Sequence, residues 1–294
     1  MQGDPISPKL FTTTIQDAFR KLDLEERGLN IDGEQITDLR FADDIALVTT
    51  TVRNMERQLN MINDESKKIG LKIHRGKTKY MTNFNTNKKI LVENTEIEKV
   101  DEYKYLGQNI EMRDKTAKEV QKRIRAAWSV FGKYKYIFAN KEIPISLKRK
   151  TFNSCIIPTM IYGCETWTIT KSIAHKLKVC QRAMERKILG IKLTDKTPNT
   201  TMREKTKLDD IIETATKAKW RWAGHVARMN DNRWTIRTTE WQVRKGKRSQ
   251  GRPKQRWSDD IVKWQGATWT RTAKDRTKWR NLAEGYFQQW RDTA

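Results

Sequence analysis

The spacing of the apolar residues changes at Gly107, and this change does most to limit what the chain can fold into. Before Gly107, short runs of alternating strand-forming residues are mixed with helical patterns. After it, apolar residues recur every three or four positions, which is the spacing of one helix face. The 294 residues are enough for about two domains of roughly 150 residues each. We therefore expect an α+β region followed by an α-helical one.

The first 110 residues contain two helical patterns and several strand patterns. Residues 7–19 predict a helix with Pro8 in its first turn, where proline needs no hydrogen-bond partner for its nitrogen. A second helix is expected over residues 52–69, and Gly70 is a typical residue to end it. Short strands are expected near residues 71–73, 89–92 and 103–106.

The region after Gly107 predicts four helices. The first has an apolar face over residues 117–131 and Asp114 as its N-cap. The others are expected to begin near Ser146, to cover residues 172–190, and to cover residues 208–226. Residues 194–206 are polar and contain Pro198, so we expect them to form a linker.

The chain is strongly basic, with 60 Lys and Arg against 36 Asp and Glu and a net charge of +24. Such an excess points to a polyanionic partner, most commonly nucleic acid. An anionic membrane surface is the weaker alternative, because no segment combines a basic face with an apolar, lipid-facing stripe. The longest apolar run, at residues 155–157, is broken by Pro158 and is far too short to span a bilayer.

The three cysteines are too few for a disulfide scaffold and have no C-x-x-C spacing. They favour a reducing compartment, so we expect a nuclear or cytoplasmic protein. No leader peptide is expected, because an apolar segment does not follow the first residues. The three histidines and three cysteines also lack the spacing of a zinc finger.

The sharpest chemical feature is the string Phe41-Ala42-Asp43-Asp44. It interrupts the alternating residues 36–48, which predicts a β-hairpin with the acidic pair at its tip. Two adjacent carboxylates suit a hard cation such as Mg²⁺, and a pair of metal ions can hold the attacking and leaving oxygens of a phosphoryl transfer. The alternative is a solvated Asp-Asp turn without a ligand, since turns favour aspartate for local reasons.

Further strings around this pair resemble the motifs of reverse transcriptases. In order along the chain they are Gln2-Gly3-Asp4-Pro5-Ile6-Ser7-Pro8-Lys9-Leu10-Phe11, then Phe41-Ala42-Asp43-Asp44, then Gly70-Leu71-Lys72-Ile73 with Lys77-Thr78, then Tyr105-Leu106-Gly107. They are similar to Q-G-x-P-x-S-P-x-L-F, [FY]-x-D-D, G-L-x-[IL]-N-x-x-K-T and the Y-L-G of the primer grip. The residues at these positions are most similar to those of the endonuclease–reverse transcriptases of non-LTR (LINE-like) retrotransposons. Strings like those at residues 162–167, 224–228 and 251–253 also occur in that family.

This resemblance implies a fold and an activity. The fold would be part of a palm, an antiparallel sheet with helices, over residues 1–110. A helical thumb would follow over 111–193 and a basic, Trp-rich helical region over 207–294. The activity would be RNA-directed DNA polymerisation, in which a primer 3′-hydroxyl attacks a dNTP on an RNA template with two Mg²⁺ ions, or with Mn²⁺ instead.

The resemblance also implies roles for single residues. Asp43 and Asp44 would be catalytic metal ligands, and Lys77 would approach the pyrophosphate leaving group as a catalytic cation. His74 stands where the family has asparagine. The residues against the nascent base pair and the template would be Gln2, Gly3 and Pro5. The residues that seat the primer end would be Tyr105, Leu106 and Gly107.

The family also needs a third carboxylate, on a strand before the Q-G-x-P motif, and this chain starts at that motif. We therefore expect a C-terminal part of such an enzyme that does not polymerise alone. One alternative is a non-enzymatic RNA- or DNA-binding protein derived from the element. Another is a genomic relic without a stable function.

The last 80 residues, from Ala215 onward, are basic and rich in tryptophan, with 20 Lys and Arg, 7 Asp and Glu, and nine of the eleven tryptophans. A loop over residues 244–256 is expected to bind nucleic acid, or else to be a solvated linker. Its cations are Arg244, Lys245, Lys247, Arg248, Arg252, Lys254 and Arg256. The tryptophans at helical spacing favour a small core of large rings over stacking on bases.

Overall fold

The structure is a computed structural model that describes residues 4–22, 28–112, 116–231, 233–241 and 255–291. These residues form two compact units. The mixed unit contains the described residues up to 112 together with 240 and 241, and the helical unit contains the others. Helices and small sheets make up the mixed unit, whereas the described part of the helical unit has helices and turns. None of the helices in the described ranges is long and apolar enough to cross a membrane.

Two helices and nine short strands form the mixed unit. The helices are α1 (Ser7–Arg20) and α2 (Val52–Lys68). The strands are β1 (Leu29–Ile31), β2 (Glu34–Ile36), β3 (Asp38–Phe41), β4 (Asp44–Leu47), β5 (Lys79–Tyr80), β6 (Ile90–Val92), β7 (Thr95–Lys99), β8 (Glu102–Tyr105) and β9 (Gln108–Glu111). Four antiparallel hairpins join β1 to β2, β3 to β4, β6 to β7 and β8 to β9, and β5 runs parallel to β7.

Helix α2 organises the mixed unit, because it contributes to both of its apolar cores. Ile62 packs with Ile15 and Phe19 of α1, while Leu59 packs with residues of β6 and β7. Thr51 caps the start of α2, since its side chain accepts a hydrogen bond from the backbone N–H of Asn54. The predictions of helices at 7–19 and 52–69 are thus confirmed.

The strand predictions are confirmed only in part. The strands expected near 89–92 and 103–106 are β6 and β8, but residues 71–73 form no strand, so that prediction is wrong. Leu71 and Ile73 still pack on the core of α1 and α2, which explains the alternating pattern without a ladder. Strand β7 was not predicted because only Ile97 among its five residues is buried. A turn with positive φ at Glu93 and Asn94 leads into it.

The helical unit contains twelve described α-helices and three short helical turns of other types. The helices are α3 (Thr116–Lys133), α4 (Lys135–Phe138), α5 (Ile145–Thr151), α6 (Ile157–Met160), α7 (Lys171–Leu189), α8 (Asn199–Thr206), α9 (Ile211–Ala227), α10 (Trp234–Glu240), α11 (Asp259–Gln265), α12 (Trp269–Lys274), α13 (Arg276–Asn281) and α14 (Ala283–Arg291). A π-helical segment (Phe152–Ile156) joins α5 to α6, and 3-10 turns cover Cys164–Thr166 and Leu193–Asp195.

The larger core of this unit lies between α3, α7 and α9. The apolar face predicted over residues 117–131 is confirmed, since Val120 and Ala127 of α3 are fully buried. Leu177 and Met184 of α7 contribute from the opposite side. Gly190, with a φ of +70°, ends α7 as the sequence predicts. The expected N-cap Asp114 lies outside the described residues.

Residues 194–206, expected to be a linker, differ from that expectation. They contain α8, whose Met202 is fully buried. Arg203 of α8 lies 2.8 Å from Glu185 of α7, a carboxylate with no exposed side-chain surface, and it also lies near Asp210. A buried carboxylate needs such partners, so the polar residues of this segment serve packing within the unit.

The smaller core consists of large aromatic rings, as the helical spacing of the tryptophans predicts. Trp220 of α9 and Trp279 of α13 stack in parallel, with centroids 3.7 Å apart. Each indole N–H donates to the backbone carbonyl of the other residue at 3.0 Å. Trp269 and Tyr286 complete the core, and Gly224 leaves the space that Trp279 fills.

Candidate functional site

The β3–β4 hairpin carries the acidic pair at its tip, which confirms the local structure expected for residues 36–48. Phe41 pairs with Asp44, so Ala42 and Asp43 form a two-residue turn. Ala42 has a φ of +53°, a conformation that alanine rarely adopts. Both Asp43 and Asp44 are exposed. The chain therefore presents two adjacent carboxylates to solvent at a tight, fixed turn.

The base of this hairpin is held on α1 and α2. Ile45 and Leu47 of β4 pack on the apolar core of the two helices. The guanidinium of Arg40 lies 4.6 Å from the centre of the Phe19 ring and 2.8 Å from a carboxylate oxygen of Asp38. A cation over an aromatic ring is a favourable contact. These contacts fix the orientation of the tip relative to the helix that follows Pro5.

The Tyr105-Leu106-Gly107 string forms the end of β8 and the turn that follows it. Leu106 and Gly107 have φ values of +48° and +79°, and they form the turn between β8 and β9. Tyr105 is the last residue of β8 and is half-buried. Burial, and then the negative charge of Asp44, raise the pKa of its phenol. The charge of Asp44 thus acts on the Tyr105 phenol, although 60 residues separate the two in the sequence.

Lys77 lies in a turn that His74 closes. The backbone N–H of Lys77 donates to the carbonyl of His74 at 3.0 Å and to its ring Nδ1 at 3.2 Å. The histidine in place of the family's asparagine therefore still supports a tight turn. The Lys77 side chain is exposed, and the Tyr103 hydroxyl donates to the Lys77 carbonyl at 3.4 Å.

Strand β8 is the element that connects these features, and the sequence motifs do not predict this role. Tyr103 and Tyr105 are two residues apart, so their side chains lie on the same face of the strand. Tyr103 contacts the turn of Lys77, and Tyr105 lies beside Asp44. The Tyr-x-Tyr alternation is the only signal in the sequence that indicates this connection.

Of the remaining expected site residues, Pro5 and Arg256 lie within the described part of the chain and the others lie outside it. Gln2 and Gly3 lie outside the described residues, as do Arg244, Lys245, Lys247, Arg248, Arg252 and Lys254. Pro5 is exposed at the start of α1, where Asp4 accepts a hydrogen bond from the backbone N–H of Ile6 at 2.8 Å. Arg256 is exposed, and its backbone N–H donates to Asp259 at 2.7 Å.

The donor set at the tip fits one hydrated Mg²⁺ ion. Mg²⁺ usually keeps several waters and binds one or two carboxylates together with substrate phosphates, which Asp43 and Asp44 would allow. Within the ranges that the structure describes, no group of three or more His, Cys, Asp or Glu side chains comes together. Two metal ions would need further ligands.

Comparison with known proteins places these observations in a family. A sequence model described as reverse transcriptase (RNA-dependent DNA polymerase) matches residues 1–110. An uncharacterized transposon-derived protein of Caenorhabditis elegans is 32% identical over 272 residues, which cover 85% of this chain and 96% of the nematode protein.

Two insect proteins are similar over a shorter stretch. Both are described as retrovirus-related Pol polyproteins from the type-1 retrotransposable element R2. The one from Nasonia vitripennis is 32% identical over 120 residues, which are 36% of this chain and 12% of that protein. The one from Bradysia coprophila is 29% identical over 119 residues, which are 36% of this chain and 14% of that protein.

Proposed function

Because this chain belongs to the reverse transcriptase family of non-LTR (LINE-like) retrotransposons, we propose that its mixed unit derives from the palm of an RNA-directed DNA polymerase. The helical residues 116–193 would then correspond to a thumb, and residues 207–294 to a basic C-terminal region. The parent reaction is the attack of a primer 3′-hydroxyl on a dNTP along an RNA template. RNA, a DNA primer and dNTP are the partners that this proposal implies.

The observation that carries the proposal is the meeting of three motifs around β8. The charge of Asp44 acts on the half-buried Tyr105, and Tyr103 of the same strand donates a hydrogen bond to the turn of Lys77. Phosphoryl transfer depends on positive groups that stabilise the negative charge developing in the transition state. Two carboxylates that hold a divalent ion suit that task, and so does an exposed lysine whose backbone is hydrogen-bonded to Tyr103 of β8.

Each residue has a defined role in this proposal. Asp43 and Asp44 would hold Mg²⁺ or Mn²⁺, which supplies positive charge against the phosphates when bound. Lys77 would donate a proton to the leaving pyrophosphate, since its side chain is exposed and its backbone is fixed by His74 and Tyr103. Tyr105 would border the position of the primer end, beside Asp44.

We also propose that the 294-residue chain does not polymerise by itself. The acidic tip offers two carboxylates, and no third His, Cys, Asp or Glu joins them among the described residues. Two metals are needed to stabilise both the attacking and the leaving oxygen. The second candidate, a non-enzymatic protein that binds RNA or DNA, is favoured by this same shortage of ligands and by the net charge of +24.

The metal site is tested by titration with Mn²⁺ followed by electron paramagnetic resonance. We expect one weak Mn²⁺ site in the chain, which is lost in the double variant Asp43→Asn, Asp44→Asn. Asp101→Asn is the matched control, because Asp101 is an exposed carboxylate of the same unit away from the tip. Unchanged Mn²⁺ binding in the double variant would contradict the proposed ligands.

Primer extension on an RNA template tests the activity. We expect the chain to bind the primed template without extending it, in Mg²⁺ or in Mn²⁺. Extension that Asp43→Asn abolishes would show an active enzyme and would refute the proposed inactivity. Failure to bind nucleic acid at all would refute both candidate functions.

An intracellular, reducing location, nuclear or cytoplasmic, is also proposed. It is supported by the three cysteines Cys155, Cys164 and Cys180, which are all free. Burial raises the pKa of Cys164 to about 12 and that of Cys180 to about 11. Such thiols are protonated at neutral pH and react slowly.

A further inference from the structure

Helices α12 and α13 carry five exposed positive side chains within ten residues. We call this set the basic ridge and define it by Arg271, Lys274, Arg276, Lys278 and Arg280. All five side chains are exposed, and none makes an ion pair with another described residue. Some cations elsewhere in the unit are paired with acids, as Lys217 is with Glu213. The ridge therefore has an uncompensated positive charge.

The opposite sides of these two helices are locked into the aromatic core. Trp269, Ala273 and Trp279 are buried against α9. A Cβ atom at Gly224 would lie 2.5 Å from Nε1 of Trp279, so the two helices approach as closely as the backbone permits. A rigid support lowers the entropy that a charged surface loses on binding. The cations of the ridge are thus arranged on a fixed base.

A further arginine reaches the ridge from α9. The Nη1 atom of Arg228 donates to the carbonyl of Ala273, at the end of α12, at 2.6 Å. Burial, and then the positive charge of the nearby Arg276, lower the pKa of Arg228. The positive charges of Arg228 and Arg276 therefore repel each other. An anion with several acceptor oxygens would relieve their repulsion.

The segment that the two helices span contains one acid. Asp275, between α12 and α13, accepts a hydrogen bond from the backbone N–H of Lys278 at 2.9 Å and so caps α13. Each six-residue helix is about 9 Å long, and a nucleic acid strand carries a phosphate about every 3.4 Å of its axis. Each helix therefore covers two or three phosphates.

We propose that the basic ridge, together with Arg228, binds the phosphate backbone of a nucleic acid without reading its sequence. This extends the proposed function, because it assigns nucleic-acid binding to a defined surface of the helical unit. It does not depend on the chemistry of Asp43 and Asp44. Contacts to phosphates position a protein on nucleic acid and carry no direct sequence information.

The test is the salt dependence of binding to a short duplex DNA of random sequence, measured by fluorescence anisotropy over a range of KCl concentrations. The ridge variant carries Arg271→Gln, Arg276→Gln and Lys278→Gln. The matched control carries Lys133→Gln, Lys187→Gln and Lys205→Gln, which are exposed cations of the same unit without an ion pair to a described residue. Both variants lose three charges. The single variant Lys278→Gln serves if the triple variant does not fold.

Each phosphate contact adds about 0.9 to the slope of log affinity against log salt. We expect the ridge variant to lower this slope by about 2 to 3, the single variant by about 0.9, and the control by less than either. An unchanged slope, or an equal decrease in the control, would overturn the proposal. So would a loss of binding to phosphatidylserine vesicles at an unchanged DNA slope, which would indicate a membrane surface as the partner. Mn²⁺ binding at Asp43 is independent of all these outcomes, so failure of the ridge and failure of the catalytic proposal are distinguishable.

Discussion

At the scale of single residues, adding one methyl group at Gly224 is expected to destabilise the helical unit. In Gly224→Ala the new Cβ would lie 2.5 Å from Nε1 and 2.6 Å from Cδ1 of Trp279, and this ring cannot move without breaking its stack on Trp220. Overpacking of this kind costs about 1–3 kcal/mol. We expect a loss of that size in the free energy of unfolding, measured in urea.

The matched control for this change is Gly132→Ala. Gly132 lies in α3, and a Cβ there would meet nothing within 4 Å. Alanine is favoured over glycine in a helix by about 0.5–1 kcal/mol, so the control should be slightly more stable than the natural chain. Equal stability of the two variants would contradict the tight contact between α9 and Trp279.

A second prediction at this scale concerns pH. Burial, and then the charge of Glu165, raise the pKa of Cys164 to about 12, whereas an unfolded cysteine has a pKa of about 8.5. Above about pH 8.5 the unfolded chain loses this proton first, so the folded state binds more protons and stability falls as the pH rises. We expect the urea midpoint to decrease between neutral pH and pH ~10. The urea midpoint of Cys164→Ala should decrease less steeply with pH. An identical slope in the two proteins would show that the thiol does not contribute to the pH dependence of stability.

At the scale of elements, α8 is attached to α7 by an ionic network rather than by a broad apolar face. Glu185 is fully buried and contacts Arg182 at 3.0 Å and Arg203 at 2.8 Å. Arg203→Met would leave this carboxylate with Arg182 alone. Loss of a hydrogen bond to a buried charge costs about 1–3 kcal/mol, and we expect a decrease of that size together with faster hydrogen exchange in α8.

Arg186→Met is the control for the α8 prediction. Arg186 is a neighbouring residue of α7 with no ion pair to a described residue, so its replacement should change stability by no more than about 0.5 kcal/mol. If both variants lost the same stability, the network would not be what holds α8.

The helices of this chain were predictable because their signals are local. Apolar residues recur every three or four positions over residues 117–131, and Gly190, which has a positive φ, ends α7. The partners of polar side chains were not predictable. Lys219 of α9 lies 2.9 Å from both carboxylate oxygens of Asp260, and Tyr286 donates to the same carboxylate at 2.8 Å. This buried trio joins three helices that are distant in sequence, and no spacing rule indicates it.

The candidate site also has one part that was predictable from the sequence and one part that was not. The acidic tip followed from alternation on both sides of Asp43 and Asp44, which is a local pattern. The approach of Tyr105 to Asp44, and of Tyr103 to the turn of Lys77, depends on how β8 packs in the mixed unit. Short strands with few buried residues carry little information about such packing, as the unpredicted β7 shows.

At the scale of the whole molecule, the net charge of +24 opposes compactness, because like charges repel. Salt screens this repulsion, with a Debye length of about 10 Å at 0.1 M. We expect the melting temperature to rise with KCl concentration in the absence of nucleic acid. NaCl at equal ionic strength should give the same shift. A melting temperature that falls with salt would mean that attractive ion pairs outweigh the excess of cations.

The parallel indoles of Trp220 and Trp279 give the helical unit a natural optical reporter. Two chromophores 3.7 Å apart share their electronic excitations, so they produce a paired band of opposite signs in circular dichroism when their transition moments are not aligned. The contribution of this pair requires both rings in place, so the band changes when either is replaced. The assembly of the aromatic core can therefore be followed without an attached label, even while nucleic acid is present.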